Sequence, residues 1–176
     1  MSTLSAEETE ERRRAFQKLL LANQDALEAR EYVRRAAAFR QRGSLTPEDK
    51  VALAAFVAAV VVAYGRCFVS SLSKRTNLPG FTERFLNTLS PAERTLHGRL
   101  LELRHQEFAH SDADAAAINV GVAEGPWLVP ISRILRIHSL EPEQVADAAR
   151  LVDKLIAFVT EELVLLQTTL APAGSF

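Results

Sequence analysis

Fourteen consecutive apolar residues, Val51 to Tyr64, constrain the fold of this chain more than any other feature. Wound as a helix, the run offers no polar face to water, which suits a helix buried among others. It falls short of the roughly 20 apolar residues that a bilayer span needs. It is therefore expected to be the central helix of a bundle, covered on all sides. The preceding Thr46-Pro47-Glu48-Asp49 is a start signal. Thr46 can cap, Pro47 suits the first helical position, and the two acids favour the positive end of the helix dipole. The pattern predicts a helix from Pro47 to about Ser71.

The remaining elements follow from spacing and punctuation. Residues 6 to 41 alternate charged and apolar positions at helical intervals up to Gly43, which predicts one long helix or two. A loop is expected over Leu72 to Gly80 and a short helix over Phe81 to Leu89. Ser90-Pro91-Ala92-Glu93 is a capping box with proline at the first position, opening a helix from Pro91 to about Ala109. Ile118 to Val122 and Trp127 to Ile131, parted by Glu124-Gly125-Pro126, predict a small β-hairpin or extended insertion around 117–131. Val145, Ala148, Val152, Leu155, Val159, Leu163, Leu166 and Leu170 mark an amphipathic helix from about Glu143 to Thr169. The expected fold class is all-α, a bundle of four or five helices forming a single domain. Its core would span 45–170, with an N-terminal helical extension over 1–44.

Composition narrows the function classes. With 48% hydrophobic residues and a net charge of −1, the chain lacks the signature of a disordered or nucleic-acid-coating protein. One cysteine, Cys67, cannot form an internal disulfide, which suits a reducing compartment. The acidic and arginine-rich N-terminus is unlike a secretory signal, so a cytoplasmic location without membrane attachment is expected. The near-neutral charge is a cancellation: residues 1–110 carry a net +4 and residues 111–176 a net −5.

The chemistry concentrates in the helix that starts at Pro91. At about 100° per residue, Arg104 falls among Leu100, Leu101 and Phe108, at the centre of the apolar face, with His97 close by. A guanidinium there is costly unless it is paired or faces a cleft or partner. An ion pair with Glu93 or Glu107 is one solution. A position facing a cleft or a partner is another. His110 stands six residues on, at the rim of the same region, with Ser111 and Asp112 after it. Its ordinary pKa lies near physiological pH, which fits it for acid–base work.

The segment Leu103-Arg104-His105-Gln106-Glu107-Phe108-Ala109-His110-Ser111-Asp112 resembles the Arg-polar-x(4)-His signature of the HEPN superfamily. It is most similar to the abortive-infection-type, AbiU-like group, and Tyr64-Gly65-Arg66-Cys67-Phe68 is similar to that group as well. His105 stands where asparagine is commoner. The resemblance implies a helical bundle that dimerises and joins two Arg/His pairs in one cleft. It implies a metal-independent endoribonuclease of a toxin–antitoxin or phage-defence system, with RNA as substrate and an antitoxin or nucleotidyltransferase as partner. Arg104 and His110 would be catalytic. His105, Ser111, Arg66 and His97 are candidate substrate-binding residues. The alternative is a non-catalytic helical dimer that binds a nucleotide, RNA or a protein.

Other constellations are weaker. Glu102-Leu103-Arg104-His105 has the Glu-x-x-His spacing of di-iron bundles, but such sites need the motif twice plus two further glutamates. His110 and Asp112 lack an obvious third metal ligand, no Gly-rich phosphate loop is present, and no cofactor is expected. His97 also reads as a satisfied core histidine, and Arg66 as a helix-end charge on a buried stem.

Overall fold

The computed structural model describes residues 5–42, 44–68, 80–105, 140 and 142–170. Among them are five helices and no strand: α1 (Ala6–Arg40), α2 (Pro47–Arg66), α3 (Phe81–Asn87), α4 (Pro91–Arg104) and α5 (Pro142–Leu170). The all-α expectation holds for these residues. The hairpin expected around 117–131 and the loop over 72–79 lie outside them.

Three helix starts follow directly from sequence. Ser5, Thr46 and Ser90 each accept a hydrogen bond from the backbone N–H three residues on, while Glu8, Asp49 and Glu93 reach back to the cap. Each reciprocal pair satisfies two helix-end donors. Residues 6–40 form one continuous helix, settling the choice between one and two.

One end differs from expectation. Helix α2 stops at Arg66 rather than near Ser71, because the chain tightens there: the N–H of Cys67 donates to Tyr64 O and that of Phe68 to Gly65 O, at 3.2 and 3.1 Å. The turn brings the Phe68 ring among Tyr64, Phe81, Phe85 and His97, with centroids 4.7–6.0 Å apart. The helical turns of α4 end at Arg104, with His105 as its C-cap; residues 106–109 lie outside the described set.

Helix α1 is the ridge on which the bundle is built. Leu19, Ala22, Ala26, Ala29, Val33 and Ala36 recur at steps of three and four and are all buried. Small side chains at a seam of this kind let neighbouring helices approach closely. Both α2 and α5 pack on α1, and α4 bridges α2 and α5. The start of α2 is tied to the end of α1 by Arg42 and Asp49 at 2.8 Å. Its far end is tied to mid-α1, where Arg66 meets Asp25 at 2.7 Å and also Glu28. The two helices are therefore antiparallel, and α1 reaches past the end of α2.

The apolar run is not covered on all sides. Leu53, Val57, Val60, Val61 and Tyr64 are buried against α1 and α4, but Val51 is 71% exposed and Ala55 is also exposed. Among the described helices α2 packs chiefly on α1 and α4, and a helix lacking a polar face then leaves apolar surface in water. No described helix is long and apolar enough to cross a membrane.

Helix α5 fastens the short elements. Arg84 of α3 meets Glu162 at 2.6 Å, and Lys154 donates to both oxygens of Glu93 at 2.9 Å. Lys154 and the Ser90 cap hold the Glu93 carboxyl down at about 2. Beneath these pairs Phe85, wholly buried, stacks 5.4 Å from Phe158 and 5.5 Å from Phe68. Phe85→Ala should cost about 3–5 kcal/mol through lost burial and the cavity left behind. The urea midpoint would fall with its slope unchanged.

Candidate functional site

The last turn of α2 and the end of α4 meet at one point, and glycine makes that meeting possible. Gly65 is buried inside a helix otherwise rich in alanine and valine, where glycine costs about 1 kcal/mol relative to alanine. A Cβ at Gly65 would stand 2.0 Å from Arg104 Cδ, 3.0 Å from its Nε and 3.1 Å from its Cγ. The arginine stem therefore lies directly on the α2 backbone, in the space that any side chain would fill.

Arg104 is half-buried, and among the described residues no hydrogen bond or ion pair holds its guanidinium. Glu93, one of the two partners considered from sequence, is committed to Lys154 and the Ser90 cap. Glu107, the other, lies outside the described residues. The nearby Glu102 turns outward to Arg99 at 3.2 Å. The buried face of α4 is formed by Leu96, His97, Leu100 and Leu103. This places Arg104 on the flank of the apolar face rather than at its centre. From the flank a guanidinium can lay its stem on apolar surface and keep its planar head available.

His97 occupies a different place. It is 5% exposed, and its Nδ1 shares a 2.7 Å hydrogen bond with the Tyr64 hydroxyl. The Tyr64, Phe68 and Phe85 rings meet it edge-on, at 4.7–6.0 Å. Burial lowers the His97 pKa and raises that of Tyr64, so both stay neutral. This is a satisfied core histidine that fixes α4 to α2 one residue before Gly65.

Arg66 is likewise engaged, its Nε and Nη2 donating to Asp25 and Glu28 of α1. His105 is exposed beside Arg104, and its backbone N–H closes the end of α4 on Leu101 and Glu102 carbonyls. His110 and Ser111 lie outside the described residues. The structure thus brings Arg104 and His105 to one helix end, places Arg66 on the α1 side, and sets His97 in the core. Cys67 is buried, its thiol pushed up to about 12 chiefly by burial, so it is no nucleophile at neutral pH. Among the described residues no cluster of three metal-ligating side chains occurs.

Two features here were missed from sequence, though each leaves a signal. A lone glycine inside an apolar helix marks a close approach. A tyrosine inside the same run carries a hydroxyl that must find a partner once buried. Comparison with known proteins returns no matching family model, no matching curated protein and no matching solved structure.

Gly65→Ala should leave thermal stability unchanged or slightly raised, since alanine is the better helix former. It should nonetheless displace Arg104, seen as a changed side-chain ¹⁵Nε resonance. His97 gives a pH dependence of definite sign. Its folded pKa lies below the ordinary 6.5, so the unfolded chain binds the proton more readily. Stability from this group is fully present above about pH 6.5 and declines as pH falls below it. His97→Gln, measured by urea midpoints between neutral and mildly acidic pH, should flatten that decline.

Proposed function

We propose that the chain is a HEPN-like ribonuclease that cleaves RNA without a metal ion, in a toxin–antitoxin or phage-defence setting. The observation that supports this reading is Arg104: a half-buried guanidinium, laid in a slot that only glycine leaves open, with no carboxylate holding it among the described residues. A planar fork of N–H donors in such a place suits a phosphodiester, whose oxygens it can hold in pairs.

The chemistry assigned to these side chains balances without a cofactor. A neutral His110 takes the proton of a ribose 2′-hydroxyl, and the oxygen attacks the adjacent phosphorus. Arg104 stabilises the charge that develops on the non-bridging oxygens. The bond from phosphorus to the 5′-oxygen breaks, and that oxygen takes a proton from a protonated histidine on the opposite side. One His110 cannot stand on both sides of the phosphorus, so this reading takes the second from another protomer related by a two-fold axis. His105 and Ser111 would orient the RNA at the mouth of that cleft.

The test is cleavage of a single-stranded RNA in the presence of EDTA. Arg104→Ala should lower the rate by about 10²–10³-fold, and His110→Ala by about 10²–10⁴-fold. The product should carry a 2′,3′-cyclic phosphate. Undiminished cleavage by both variants would overturn the proposal. Wild-type protein that binds RNA but never cuts it would assign the non-catalytic dimer reading instead.

A further inference from the structure

Helix α1 packs into the fold through its alanine seam and carries exposed leucines away from that seam. Opposite the alanine seam, Leu20 and Leu27 stand 47% and 39% exposed, with Leu21 beside them at 63%. Scattered surface leucines are ordinary, but Leu20 and Leu27 share one face two turns apart, with Leu21 exposed on its flank. Gln17 and Gln24 alternate with Leu20 and Leu27 on that face at steps of three and four. Beyond them the same face carries Glu10 and Arg13 at one end, and Glu31 and Arg34 at the other.

The order of these charges selects the occupant. Read from either end, the face runs as a charge pair, a centre of two leucines and two glutamines, and a second charge pair. Reversing its direction sets each acid against a base. We propose that this face of α1 binds a second copy of the chain in antiparallel orientation, about a two-fold axis beside Ala22. Arg13 then meets Glu31 of the second copy, Glu10 meets Arg34, Leu20 packs on Gln24, and Leu27 packs on Gln17. Each contact occurs twice, as an isologous interface requires. On the flank, Leu21 faces its own counterpart.

Other arrangements are poorer. Parallel pairing sets Glu10 on Glu10 and Arg13 on Arg13. Sliding the antiparallel pair by one heptad sets Glu31 or Glu10 against a leucine, stranding a charge on apolar surface. Within one chain Glu10 pairs with Arg14 at 3.0 Å, and Glu31 with Arg34 and Arg35 at 2.9 and 2.8 Å. These are exposed helix-surface pairs of small worth, so exchanging them for pairs across the interface costs little.

This face lies opposite the seam that packs on α2 and α5, whereas Arg104 lies on Gly65 of α2. The inference does not rest on the proposed ribonuclease activity, and the two are separable by experiment. A chain that used both this face and a two-fold Arg/His cleft would be a tetramer where the two axes cross at right angles. Disrupting the α1 face would then leave a dimer.

Light scattering on the full chain, at tens of micromolar and low salt, tests the interface. Arg13→Glu places like charges together twice and should halve the mass, with circular dichroism confirming that the helices remain. Adding Glu31→Arg to that variant should restore the original mass. Gln17→Cys and Leu27→Cys proteins, mixed and oxidised, should form a disulfide-linked pair that neither forms alone, native Cys67 being buried. A monomeric wild-type chain, or a mass that Arg13→Glu does not change, overturns the proposal.

Discussion

The close approach that alanine permits along α1 is the constraint on which the rest of the fold depends. Ala26, Ala29 and Ala36 are fully buried in a seam edged by Leu19 and Val33. Because these side chains are short, both α2 and α5 can pack on the same helix without a large core between them. The ion pairs at the ends of α2 do not replace that packing. Arg42–Asp49 and Arg66–Asp25 lie at the surface, where such pairs contribute little to stability and mainly set alignment.

That alignment determines what happens at the end of α2. The aromatic cluster of Tyr64, Phe68, Phe85 and His97 locks α4 against α2, and the Tyr64–His97 hydrogen bond satisfies the two polar atoms the cluster would otherwise strand. With α4 held there, its last helical turn brings Arg104 down onto Gly65. The slot and the arginine thus come from different helices, and the position of each depends on a core contact made nearby. Helix propensity is given up at Gly65 in exchange for the position of one guanidinium.

Local physics made most of the fold legible from the sequence. The cap signals at Thr46 and Ser90, the prolines at first helical positions and the period of α5 each involve residues within a few positions of one another. The end of α2 was less legible, because Phe68 leaves the helix to join rings from α3 and α4. The cover on α2 was misjudged for a related reason: an apolar run states that burial is favourable, not how many neighbours are present to provide it. At the site, the sequence marked Arg104 as a cation at the centre of an apolar face, where the structure puts it on the flank, and it put His97 nearby. It could not show that Glu93 is drawn away by Lys154, a residue 61 positions distant.

The sequence by itself determined the helical class, where helices start, and the alternation of charge along α1, since all of these are set by near neighbours in the chain. Only the tertiary structure decided that His97 belongs to the core while Arg104 lies on a bare stretch of backbone. It also decided that Arg66 turns to the acids of α1. Each outcome is a competition among partners remote in sequence, and such competitions are resolved by which helices come within reach once the alanine seam has closed.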